Sequence, residues 1–110
     1  MLELREYIDR VGGSPFRIWL DELNAEAAAK VAVAVERLGQ GNLSNTKAVG
    51  EGVSERKVNF GPGYRVYFGR DGDTLIVLLG GGTKRGQSRD IAAAISRWRD
   101  YKNRKAQGEK

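Results

Sequence analysis

The sequence is 110 residues long, contains neither cysteine nor histidine, and carries a net charge of +5. The length predicts a single domain, residues 1–110, and the composition excludes disulfides, a cysteine nucleophile and a histidine general base. There is no run of about 18 apolar residues and no signal-peptide pattern at the start, which predicts a cytoplasmic protein with no membrane partner.

The positive charge is concentrated at the end of the sequence. Residues 84–110 contain nine Lys and Arg residues against three Asp and Glu residues. Such asymmetry favours a polyanionic partner, RNA or DNA, or an acidic protein. Charge alone leaves open a solvated helix with a basic tail, and residues 102–110 are predicted to form a basic, frayed end.

The first part of the chain predicts a strand followed by two helices. The first eight residues alternate between apolar and charged side chains, as in a half-buried strand. Ser14 and Pro15 are a helix start signal, and Asn24 can cap a second helix that ends at Gly39 or Gly41. These helices are predicted to form a hairpin that packs on the core.

Residues 42–52 are predicted to be a polar loop, and residues 53–87 hold the densest β signal in the sequence. Three antiparallel strands are predicted there. If Gly61-Pro62-Gly63 is a three-residue connection, Lys57 lies directly opposite Tyr67, with Arg65 on the same polar face.

Asp71-Gly72 predicts a second turn, a two-residue one that pairs Arg70 with Asp73. Under this pairing Ile76 and Leu78 lie on the same face as Arg65. Because that face is then partly apolar, the last helix or a partner has to cover it.

The run Gly80-Gly81-Gly82 is predicted to end the third strand, and its spacing does not match a phosphate-binding loop. Ser88 is predicted to cap a final helix. The predicted fold is α+β in the order β-α-α-β-β-β-α, with an antiparallel sheet core, an N-terminal helical hairpin and a C-terminal helix.

Four side chains are predicted to converge at this sheet, namely Lys57, Arg65, Tyr67 and Lys84. Cations on rigid strands stabilise the charge that builds up during phosphoryl transfer, and clustering lowers the pKa of a lysine that acts as a base. The alternative is a face on which these side chains are solvated cross-strand partners. The scattered carboxylates predict no metal site, and no cofactor is predicted.

Several segments of the chain resemble one known group of proteins. They are Ser14–Leu20, Gly52–Val58, Gly61–Phe68, and Leu78–Lys84 with Gln87, Asp90 and Ile91. In these segments the chain resembles the addiction-module killer proteins, the HigB-like branch of the RelE/ParE superfamily of type II toxin–antitoxin toxins.

The resemblance implies the β-α-α-β-β-β-α order, neutralisation by a cognate antitoxin and, as in RelE-like members, ribosome-dependent cleavage of mRNA without a metal. The functional cations of that group correspond to Lys57, Arg65 and Lys84. The tyrosine that RelE-like enzymes have near the start of the last helix has no counterpart, so either Tyr67 replaces it or cleavage is weak or absent. The flanking residues Arg85, Gln87 and Arg89 are predicted to bind RNA.

Two other functions remain open at this point. ParE-like members bind DNA gyrase without being nucleases, and the chain can also be a degenerate toxin that retains only antitoxin binding. In each case an acidic helix or strand of the antitoxin is predicted to cover Arg65, Ile76 and Leu78.

Overall fold

Residues 1–108 are the part of the chain that the structure, a computed structural model, describes. Its elements are β1 (Glu3–Glu6), α1 (Pro15–Asp21), α2 (Ala25–Gly39), β2 (Thr46–Gly50), β3 (Val53–Val58), β4 (Tyr64–Asp71), β5 (Leu75–Thr83) and α3 (Gln87–Ala106). The fold is therefore α+β. The predicted order lacked one strand, because β2 lies within the segment predicted to be a polar loop.

The strands form one five-stranded sheet in the order β1-β5-β4-β3-β2. The pairs β2–β3, β3–β4 and β4–β5 are antiparallel. β1 runs parallel to β5, with Glu3 opposite Leu75. The sheet is mixed, and the predicted antiparallel core is confirmed for β2 to β5 only.

The first two helices begin where the sequence predicts. Ser14 caps α1, since its side chain accepts a hydrogen bond from the Arg17 amide at 3.1 Å. Asn24 caps α2 by accepting from the Ala27 amide at 2.9 Å. α2 ends at Gly39, one of the two predicted positions.

The last helix differs from the prediction at both ends. A short 3-10 turn at Lys84–Gly86 leads into α3, so Gly86, and not Ser88, is the capping residue. The helix continues to Ala106, into the segment 102–110 that was predicted to be a frayed end, while residues 109 and 110 lie outside the described part. No helix in residues 1–108 is both long and apolar enough to cross a membrane.

The sheet has a hydrophobic core on each face. The hairpin core lies under α1 and α2 and includes Phe16, Val31, Leu38, Val66, Phe68, Ile76 and Leu78. The α3 core lies on the other face and includes Tyr7, Val53, Tyr67, Val77, Leu79, Ala94 and Trp98. The predicted apolar stripe of the last helix supplies Ile91, Ala94, Ile95, Trp98 and Tyr101 to this second core.

The pairing of β3 with β4 differs from the predicted pairing by two residues. Lys57 lies opposite Arg65, and Glu55 lies opposite Tyr67. The connection between the strands spans residues 59–63, which makes it longer than the predicted three-residue turn. A shift of two keeps each side chain on its predicted face, because side chains alternate with a period of two.

The pairing of β4 with β5 differs by an odd number, and this exchanges the faces of β5. Arg70 lies opposite Ile76 instead of Asp73, and the register shifts again between Tyr67 and Phe68. Ile76 and Leu78 therefore lie in the hairpin core, where they are 0% and 3% exposed. Their predicted place beside Arg65, on a face open to an antitoxin, is wrong.

Candidate functional site

The predicted cation Arg65 is buried and forms an ion pair with a carboxylate, although its Nε atom has no hydrogen-bond partner within residues 1–108. Its Nε atom lies 3.5 Å from Oε2 of Glu55, and the two residues are 5% and 1% exposed. The other carboxylate oxygen accepts a hydrogen bond from the Gln87 side-chain amide at 2.9 Å. Glu55 thus connects β3 with β4 and with the start of α3, and Arg65 is shielded from solvent.

Gln87 and Lys57, two other predicted site residues, differ in their accessibility. Gln87 was predicted to bind RNA, but its amide is used within the fold by Glu55. Lys57 lies opposite Arg65 and on the same face, and its side chain is exposed. The structure therefore brings Lys57 and Arg65 together, with only Lys57 open to a ligand.

Tyr67 is a core residue. It is 1% exposed, and its hydroxyl has no hydrogen-bond partner within residues 1–108. Burial, together with the nearby carboxylates of Glu55 and Asp90, raises the pKa of this hydroxyl to about 12. Tyr67 stays protonated at neutral pH, and RNA cannot reach it in this arrangement.

An open groove of about 720 Å³ lies between α1 and the segment that joins β5 to α3. Its lining residues are Trp19, Gly81, Gly82, Thr83, Lys84, Arg85, Gly86, Gln87, Ser88, Arg89 and Asp90. The Lys84 amide donates to the Gly63 carbonyl at 3.1 Å, which ties the turn to the β3–β4 connection. We call this the cationic groove.

Three of the predicted residues, Lys84, Arg85 and Arg89, line the cationic groove with exposed side chains. None of them forms an ion pair with a residue of the described chain, 1–108. Their charge is therefore available to an anionic ligand. Arg65 does not line the groove, but it lies opposite Gly82, which does.

The glycine run belongs to β5 and does not end it, contrary to the prediction. A Cβ atom at Gly81 would collide with the ring of Trp19, and one at Gly82 would collide with the carboxylate of Asp90. The absent side chains let an aromatic ring pack against one face of the strand and a carboxylate against the other. The glycines thus shape the groove by steric means.

Asp90 is a functional candidate that the sequence reasoning did not assign. Its carboxylate lines the cationic groove, and burial raises its pKa, an effect that Arg89 and Arg97 oppose. A partly buried carboxylate among cations can accept a proton from a bound ligand. The signal was present in the sequence, since Asp90 belongs to the segment that carries the resemblance.

The C-terminal half of α3 is held to the rest of the fold by two tyrosine–aspartate hydrogen bonds. The Tyr7 hydroxyl donates to Asp100 at 2.6 Å, and the Tyr101 hydroxyl donates to Asp71 at 2.6 Å. The Tyr7 hydroxyl, with Arg104 beside it, holds the pKa of Asp100 below its ordinary value, although burial opposes the shift. These bonds attach the helix to the segment after β1 and to the β4–β5 turn.

Comparison with known proteins gives one informative relationship. No family model matches the chain. An uncharacterized protein of Haemophilus influenzae is 40% identical over 80 residues, which cover 72% of this chain and 81% of that protein. The chain belongs to the family of this Haemophilus protein. The description of this family member names no activity, ligand or partner, so a function has to be argued from the groove.

Proposed function

We propose that the protein is the toxin of a type II toxin–antitoxin pair, of the RelE/ParE kind, and that it inhibits translation by cleaving mRNA on the ribosome. The observation that carries the proposal is the cationic groove, in which Lys84, Arg85 and Arg89 are exposed and form no ion pair within residues 1–108. A cluster of accessible cations binds phosphate groups and stabilises the charge of a phosphoryl-transfer transition state.

The reaction needs a proton acceptor and no metal. The ribose 2′-oxygen attacks the adjacent phosphorus while its proton passes to a base. The bond between phosphorus and the 5′-oxygen of the next nucleotide breaks, and that oxygen takes a proton from water. The products are a 2′,3′-cyclic phosphate and a free 5′-hydroxyl. Asp90 is the acceptor we favour, because it lines the groove, whereas Lys57 is accessible but lies outside the groove lining.

Lys84 is the residue that we assign to the scissile phosphate. It is exposed, and its backbone is fixed to Gly63, so its position is set by the sheet. Arg65 lies opposite Gly82, beside the groove, but its charge is compensated by Glu55, so we assign it a supporting role without contact to the RNA.

A second function is favoured by one specific observation. Arg65 and Tyr67, which RelE-like catalysis would use directly, are 5% and 1% exposed. A toxin that only binds its target, as ParE-like toxins bind DNA gyrase, has no need of these side chains in solvent. In that case the cationic groove is a protein-binding or antitoxin-binding surface.

The experiment that separates the two functions is primer extension on bacterial transcripts after induction of the protein. Cleaved transcripts with arrested growth are the expected result, and Lys84→Ala and Asp90→Asn are expected to abolish both. The double variant Arg85→Ala/Arg89→Ala removes two charges from the groove. Its control is Arg37→Ala/Arg70→Ala, which removes the same charge from exposed positions outside the groove. The matched control should cleave like the natural chain.

One outcome would contradict the nuclease proposal, and another would contradict its assignment to the groove. Intact transcripts together with supercoiling defects would support gyrase binding. Cleavage that survives both Lys84→Ala and Asp90→Asn would place the chemistry outside the groove. Far-ultraviolet circular dichroism of each purified variant separates loss of activity from loss of the fold.

A further inference from the structure

Trp19 is the aromatic residue of the cationic groove. It comes from α1, a different part of the chain from the segment 81–90 that supplies the rest of the lining. Its side chain is partly exposed, and it packs against the edge of the hairpin core. The groove therefore combines one aromatic side chain with Lys84, Arg85 and Arg89.

The Trp19 ring is held in place by its neighbours. It rests against the bare backbone of Gly81, where a Cβ atom would collide with it. Phe16 and Tyr64 pack against it, with ring centroids 6.1 and 6.3 Å away. An aromatic ring that is fixed before a ligand arrives loses little conformational entropy when the ligand stacks on it.

We infer that Trp19 is a base-stacking residue of the groove. A nucleotide of single-stranded RNA binds with its base against the Trp19 ring and its phosphates against Lys84, Arg85 and Arg89. An aromatic side chain next to cations is the combination that binds unpaired nucleotides, because every base presents a π face and every linkage carries a negative charge. This inference rests on the proposed function, since it takes RNA to be the ligand of the same groove.

Trp19 thereby supplies an aromatic contact that the start of the last helix lacks. The sequence-based assignment of this role to Tyr67 fails because Tyr67 is buried in the α3 core. Trp19 and Tyr67 lie on opposite faces of the sheet, as their different cores show. Only Trp19 borders the groove.

Tryptophan fluorescence provides a direct test, because the chain contains two tryptophans and the other one, Trp98, is 5% exposed in the α3 core. In the Trp98→Phe protein, Trp19 is the only tryptophan. Titration with a short single-stranded oligoribonucleotide should quench its emission. An abasic ribose-phosphate oligomer of the same length and charge should bind roughly 10-fold or more weakly and leave the emission nearly unchanged.

Substitutions at Trp19 give the second arm of the test. Trp19→Leu keeps an apolar side chain without a π face and should bind the oligoribonucleotide roughly 10-fold more weakly, while Trp19→Phe should retain most of the affinity. The abasic oligomer should bind both variants and the natural chain alike. If Trp19→Leu does not fold, the quenching of Trp19 emission by RNA and the RNA affinity of Trp19→Phe still test the stacking role.

The results separate this inference from the proposed function. Equal binding of the natural and abasic oligomers without quenching would overturn the stacking role, and cleavage of transcripts would then still support the nuclease. Quenching by RNA in a protein that cleaves no transcript would support the stacking role and contradict the nuclease. Quenching by a peptide or protein partner, with none by RNA, would overturn the stacking role.

Discussion

The Nε atom of Arg65 lies 3.5 Å from Oε2 of Glu55, and both side chains are almost fully buried. Removing one member of a buried ion pair leaves an uncompensated charge, which costs about 3 to 5 kcal/mol. We therefore expect Glu55→Gln to lower the free energy of unfolding by about that amount, measured by urea denaturation.

A double substitution supplies the control for this pair. Glu55→Leu/Arg65→Met replaces both charges with apolar side chains and should be markedly more stable than Glu55→Gln. Equal destabilisation by the single and double changes would mean that the ion pair is not what makes Glu55 important.

Gly81 should not tolerate a side chain. Gly81→Ala places a methyl group against the Trp19 ring, and overpacking of this kind costs about 1 to 3 kcal/mol. Thermal unfolding should show the loss, and it should largely disappear when Gly81→Ala is measured against a Trp19→Ala background. Gly13→Ala is the matched control. It should be tolerated better, since the nearest contact of its new Cβ is the end of the Asp9 side chain, at 3.3 Å.

RNA binding should depend on salt in proportion to the number of cations that contact phosphates. For single strands, the slope of log affinity against log salt is about −0.7 per contact. Arg85→Ala/Arg89→Ala should therefore reduce the slope by roughly 1.4. The control Arg37→Ala/Arg70→Ala should leave it unchanged, and an equal reduction by both doubles would indicate a diffuse charge effect instead of a groove.

Acid should weaken the attachment of α3 near Tyr7. The hydrogen bond from Tyr7, with Arg104 beside it, lowers the pKa of Asp100 from its ordinary value of 3.8. A carboxyl whose pKa is lowered by folding stabilises the fold above its unfolded pKa, and this stabilisation is lost as the pH falls through the folded value. Tyr7→Phe should lower the free energy of unfolding by about 1 kcal/mol at pH 7.

The difference between Tyr7→Phe and the natural chain should shrink at pH values below the ordinary Asp100 pKa, because the carboxyl is then protonated in both proteins. The measurement is urea denaturation at a series of pH values. In an Asp100→Asn background the effect of Tyr7→Phe should not vary with pH over this range. A difference that stays constant with Asp100 present would contradict the assignment.

Local signals in the sequence predicted the helices well. Ser14, Asn24 and the stripe of α3 behave as their spacing indicates, because capping and amphipathic packing depend on neighbouring residues in the chain. β2 escaped detection because it is a short edge strand with mostly exposed side chains, and its residues lack the alternation that marks a half-buried strand.

The site was harder to predict because it depends on strand register. β5 is apolar on both faces, so a register error in β5 leaves no visible conflict in the pattern, and Ile76 and Leu78 were assigned to the wrong face. The register shift in β5 was not predicted either: Leu79 is an extra residue between the partners of Phe68 and Tyr67, next to Gly80. The cations after β5 were found because they are contiguous, whereas Trp19 is brought to the groove by tertiary packing.

The parallel pairing of β1 with β5 joins the first strand of the chain to the last one. During synthesis β1 has no partner in the sheet until the segment beginning at Leu75 has left the ribosome, and the hairpin strands have to assemble in between. Contacts so distant in sequence form slowly. The order of translation therefore delays completion of the groove, whose lining residues 81–90 are made after β1 to β4, until that segment has left the ribosome.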